Sequence, residues 1–114
     1  MDDAFIGQIR LFAGQLAPKG WAQCHGQTMV ISEYTGLFSI LRAAYGGDGE
    51  TTFALPDLRG RVPIGAGQGP GLENIELGQT VGSATVQAGH EIYGPPVLGL
   101  NWCIAVVGIF PPRG

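Results

Sequence analysis

The stretch "TTFALPDLRGRVPIGAGQGPG", residues 51–71, sets three prolines and five glycines among two arginines and one aspartate. No hydrophobic period of either helix or strand runs through it to Gly71, so it reads as an extended passage that crosses close to other backbone, where glycine leaves room. Its "GAGQGPG" end exposes backbone amides as a phosphate loop would, but the register of a dinucleotide loop fails. Counted from Gly65 the third required glycine is Pro70, and counted from Gly67 it is Leu72. Pro70 also removes an amide where an anion would seek one, and no helix follows. Within "LPDLRGR", Asp57 stands two residues before Arg59 and four before Arg61. A carboxylate so placed can accept local amides after Pro56 and face a guanidinium, which makes Asp57, Arg59 and Arg61 a structural turn lock. A catalytic carboxylate would need a partner, and the next acidic residue is Glu73.

Upstream, residues 6–13 read as a strand with partial alternation, followed by a turn with Pro18 second and Gly20 fourth. "WAQC" and "QTMVI" are short strand-like runs separated by His25 and Gly26 as in a hairpin. Tyr34, Leu37, Phe38 and Leu41 then fall at i, i+3, i+4 and i+7, which predicts one helix capped by Ser32 and stopped by Gly46 and Gly47. Gly36 inside it lowers intrinsic stability by about 1 kcal/mol relative to alanine, so packing must hold it. In "GGDGETTFAL" an Asp48–Gly49 turn leads into a β-branched, aromatic strand. Up to about Gly89 the chain is polar and loose, and it closes on "VLGLNWCIAVVGIF". The sum is a small α+β domain, mostly β, with one short helix.

At 114 residues the chain is one domain able to bury roughly two-thirds of its extended surface. Charged residues are only 13% and the net charge is −3, too few cations to displace counterions from nucleic acid. So light a charge gives little self-repulsion, and glycine-rich strands then favour association between copies. The longest apolar run near either end falls far short of the roughly 20 residues that span a bilayer. The start "MDDAFIGQ" is acidic where a secretory signal is basic, so no secretory signal peptide is expected. Cys24 and Cys103 read as buried small hydrophobes, their pairing left open. Cys24 and His25, adjacent on a strand, point apart and do not share a ligand sphere. No metal, cofactor or catalytic set is therefore expected.

"CIAVVGIF" is apolar in both alternating sets, Cys103, Ala105, Val107 and Ile109 on one face and Ile104, Val106 and Phe110 mainly on the other. One face meets the core and the other needs a second cover, for which a neighbouring subunit is the expectation. The amino strand, with Phe5, Ile6 and Ile9, is the candidate for what it meets, within the chain or across subunits. The subunit interface expected from sequence is thus Phe5, Ile6, Ile9, Ile104, Val106 and Phe110.

Three stretches, "IGQIRLFAGQLAPKGWAQCHGQ", "ISEYTGLFSILRAAYGGDGETTFALPDLRGRVPIGAGQGPG" and "ELGQTVG", cover well over half the chain. In that order they resemble the phage tail-collar domain family, which includes bacterial microcystin-dependent proteins. The final "LGLNWCIAVVGIFPPRG" is similar to that family's carboxyl end. The resemblance implies a small mixed domain of tail fibres and contractile particles, typically trimeric, structural or host-contacting, and not an enzyme. It implies a location in a virion or tail-like particle, or in an extracellular filament. Partners would be copies of the chain as trimer or filament, other tail proteins, or a host cell-surface glycan. Family members commonly carry a longer insertion before the last strand, with a "Q-M-P-x-H-x-H" segment whose histidines bind metal in some fibres. Here that stretch is only "SATVQAGHEIYGPPV" with His90 alone, so residues 1–114 read as a single minimal collar domain that favours assembly over recognition. The alternative is a receptor-binding tail module, in which Trp21, Tyr45 or Tyr93 would stack on sugar rings.

Overall fold

A computed structural model describes residues 4–82 and 96–112. Among the described residues, seven short strands, one 3-10 turn and one α-helix make a small α+β domain that is mostly β. Its centre is a three-stranded antiparallel sheet of β1 (Ile9–Phe12), β2 (Trp21–Gln23) and, between them, the last strand (Asn101–Ala105). The last strand pairs Ile104 with Ile9 on one side and with Ala22 on the other. It therefore joins the amino-terminal strands across more than 75 residues of sequence, within one chain.

β3 (Thr28–Val30) and β4 (Thr52–Ala54) form a second antiparallel pair, and β5 (Gly67–Gln68) and β6 (Asn74–Ile75) a third; the central Asn101–Ala105 strand is β7. The hairpin expected around His25 and Gly26 does not form, because β2 pairs with β7 and β3 with β4. His25 and Gly26 instead face residues 56–57: His25 bridges Asp57, and the Gly26 amide donates to the Pro56 carbonyl at 3.1 Å. The turn before β2 is shifted by one residue from the expected frame. The Trp21 amide donates to the Pro18 carbonyl at 3.0 Å, which puts Pro18 first and Gly20 third, with Gly20 at φ 87°. That third position is where a turn demands positive φ, so glycine decides the frame.

The helix also starts later than its pattern suggests. Residues Ile31–Glu33 form a 3-10 turn and α1 runs Thr35–Leu41, preceded by Tyr34 without a side-chain cap. Ser32 lies inside the 3-10 turn and caps nothing. α1 ends before Gly46, at Arg42, whose φ of 52° and bond from its amide to the Phe38 carbonyl close the last turn. A helix this short is marginal in water and is held by burial: Leu37 and Leu41 enter the core, and Tyr34 and Phe38 pack against it.

Two core clusters lie on the two faces of β7. Ile104 joins Cys24, Leu37, Leu41, Phe53 and Leu55 on one. Cys103 and Ala105 join Ala4 and Trp21 on the other, with Phe12 and Ala17 packed against them. Over Cys103–Ala105 the chain supplies both covers itself, while Val107, Ile109 and Phe110 of the same apolar run stay exposed. Trp21, with the Phe12 ring edge-on at 5.3 Å, is large enough to close the second face. Phe5 bridges Ile109 in parallel and the Ile6 amide donates to the Ile109 carbonyl at 2.9 Å, so the amino strand meets the carboxyl strand within the chain.

Candidate functional site

Residues 55–58 run antiparallel to 24–27: the Leu55 amide donates to the Gln27 carbonyl and the Leu58 amide to the Cys24 carbonyl, at 3.1 and 2.9 Å. Leu55 is buried in the core and Leu58 packs against it. Asp57 between them points outward over Gly26, where an added β-carbon would stand 3.2 Å from its own. Its carboxylate takes the Arg59 fork in two bonds, Nε to Oδ1 at 2.9 Å and Nη2 to Oδ2 at 2.8 Å, and accepts the Arg59 amide at 3.2 Å. Arg61 Nη1 donates to the Asp57 carbonyl oxygen at 2.9 Å and lies 3.7 Å from Oδ2. The three residues singled out from sequence are thus brought together, on a surface turn anchored to the core from both sides.

The Arg59 side-chain bonds hold the Asp57 carboxyl well below the usual carboxylate range, against a smaller opposing effect of desolvation. Both oxygens are occupied and the group is ionised at neutral pH, which suits a clamp and not a proton acceptor. A depressed carboxyl contributes stability that is present above its unfolded value of about 3.9 and lost as pH falls through the folded value. Asp57→Ala is expected to lower stability by about 1 kcal/mol at pH 7, the scale of a partly exposed bidentate pair. The gap between wild type and variant should close as the pH is taken from 5 towards 2 in thermal melts; a gap independent of pH would remove the ion pair from the account.

The Asp48–Gly49 turn holds a second carboxylate. Asp48 Oδ1 accepts the amides of Glu50, Thr51 and Thr52, each at 2.8 Å, and Oδ2 accepts Thr51 Oγ1 at 2.7 Å. The Thr52 amide leads the causes that hold its carboxyl low. The "DGETT" run carried the signal, because aspartate accepts amides two and more residues ahead and threonine can add its hydroxyl.

Beside the lock runs an apolar groove of about 360 Å³ between β1, residues 58–63 and residues 97–102. Leu11, Val62, Leu98, Leu100 and Trp102 line it and Arg61 stands at its rim. Leu98 is 82% exposed. No local pattern announces this concavity, which needs three separate segments of the chain.

Of the expected interface residues, Phe5, Ile9 and Phe110 are exposed. Ile6 and Val106 pack half-buried against the chain's own core, and Ile104 lies wholly inside it. Trp21 is buried and Tyr45 is half-buried against the core; Tyr93 and His90 lie outside the described residues. Cys24 and Cys103 are free and buried. Burial pushes the Cys24 thiol up to about 12, which keeps it protonated and a poor nucleophile at neutral pH. Among the described residues no three His, Cys, Asp or Glu side chains group closely enough to hold a metal ion, and no helix is long and apolar enough to cross a membrane.

The sequence model of the Phage Tail Collar Domain matches residues 7–63, half of the chain. The match spans β1 to β4 and ends at Pro63, on the wall of the groove. No curated protein matches the chain. β7 lies beyond the matched residues yet is hydrogen-bonded between β1 and β2 inside them.

Proposed function

The chain belongs to the phage tail collar domain family, and from that premise we propose that it is a self-assembling, non-enzymatic building block of a phage or phage-like tail fibre, or of an extracellular filament. The family is a structural one of phage tails. The finer reading is a single minimal collar domain that associates with copies of itself, as a closed trimer or an open filament, and with neighbouring tail proteins.

The supporting observation is exposed apolar surface beside a strand edge. Among the described residues β1 is an edge strand, and Phe5, Ile9 and Phe110 stand uncovered beside it. Ile64, Leu72, Leu77 and Leu98 are each more than 60% exposed as well.

Light scattering on the purified chain, with electron microscopy, tests this reading. A mass of several chains or visible filaments is expected, and a monodisperse monomer at high concentration would defeat it. A receptor-binding module is the alternative in the same family, but it draws less support, because, of the rings expected to stack on sugar, Trp21 is buried and Tyr45 is half-buried against the core.

A further inference from the structure

We propose that residues 64–77 are an assembly arm that seats in the apolar groove of a second copy of this chain, a contact that rests on the self-assembly reading above and names its surfaces. From Arg59 to Gly82 only Gly69 and Ile75 are even half-buried. The arm is nonetheless shaped. β5 and β6 pair with Gly67 opposite Ile75, the Leu72 amide closes the tip on the Gly69 carbonyl at 3.0 Å, and Gln68 Nε2 donates to the Leu72 carbonyl. A two-stranded ribbon alone is marginal in water and gains stability when an apolar face is covered. Ile64, Leu72 and Leu77 are all more than 60% exposed on this one.

The same chain carries a concave apolar surface. The groove, at about 360 Å³, has the size of a site that takes a few apolar groups. Its Leu98 and Val62 are as exposed as the arm's leucines.

Charge selects arm-to-groove contact over arm-to-arm contact. Between Val62 and Gly82 the only charged residues are Glu73 and Glu76, so the arm carries −2. The groove's rim carries Arg61 and, beside it, the Arg59–Asp57 pair, a local balance of +1. Two arms brought together would repel, whereas arm and groove attract. A contact between different patches on identical chains is heterologous, and it either closes as a ring or continues as a filament.

The test uses two variants and their mixture, by light scattering with circular dichroism as the check on folding. L72D together with L77D disables the arm and leaves the groove; L98D disables the groove and leaves the arm. All three leucines are exposed in the single chain, so both variants are expected to fold and to run as monomers. Mixed in equal amounts at high concentration, they restore one arm–groove contact and should double the mass to a dimer. An assembled wild type whose mass neither variant lowers would overturn the arm–groove contact and leave self-assembly standing. Loss of assembly in both without a dimer on mixing would also overturn it, in favour of an arm–arm or other contact. A wild type that is monomeric at all concentrations would remove self-assembly itself and the arm–groove contact with it.

Discussion

Ile104→Asp is expected to give a chain that does not fold. Ile104 has 0% exposure and sits in the central strand β7, against Leu37, Leu41, Phe53 and Leu55 of the main core. A carboxylate there would be stripped of water among apolar side chains, at a cost on the order of 5 kcal/mol even after its pKa rises to neutralise it. Domains of this size are stable by only about 5–15 kcal/mol in total, so the substitution consumes most or all of the margin. Its pairing neighbour provides the control. Ile9 faces Ile104 in the register but is exposed, so Ile9→Asp should fold with a normal circular dichroism spectrum. A folded Ile104→Asp chain of reduced mass would instead restore Ile104 to a subunit contact and undo the description of β7 as internally covered.

That contrast shows what the chain's local pattern could and could not express. The apolar run of β7 showed correctly that both of its faces need cover, because alternation is a local property. The identity of the cover depends on residues more than 80 positions away, and Trp21, Phe12 and Ala4 carry no mark in sequence that assigns them to it. The same holds for strand pairing: β2 and β3 were legible as short runs, but their partners are β7 and β4, chosen by the fold as a whole. The helical face was legible because Leu37 and Leu41 must be stacked to be buried together. Its ends were not, since a 3-10 turn displaced Ser32 from the cap and Arg42, a residue with a β-carbon, took the positive φ expected of glycine. In the site, Asp57, Arg59 and Arg61 could be grouped because all their bonds lie within four residues. The groove beside them is made by tertiary placement alone, and the ribbon at 67–75 has no alternation to announce its strands, although Pro70–Gly71, with Gly71 at φ 74°, marks the turn at its tip.

Gly47→Ala is expected to be the most damaging single-methyl addition in the chain's first half, for a reason that combines conformation with space. The passage from α1 to β4 turns back on itself through Gly46 and Gly47, with φ of 131° and 91°. The Ala54 amide reaches the Gly46 carbonyl at 3.0 Å, which lays this turn directly on β4. A β-carbon on Gly47 would stand 2.7 Å from the Thr52 carbonyl oxygen and closer still to the Phe53 α-carbon. Those are backbone atoms of a strand whose Phe53 side chain has no exposure at all, so the neighbour cannot yield without moving the core. Strain of a non-glycine residue at such a φ costs about 1–3 kcal/mol, and displacement of a packed strand brings the expected total to about 4 kcal/mol, in the range reserved for disrupted cores. Gly60→Ala separates the two contributions. Gly60 has φ of 65° with open space where its β-carbon would go, so it should bear the conformational cost alone, about 1 kcal/mol. Urea denaturation of the two variants beside wild type reads the difference directly. Equal midpoints for Gly47→Ala and Gly60→Ala would mean that the 46–47 turn relaxes away from β4 at little cost and that its close approach to Phe53 does not hold the helix to the sheet.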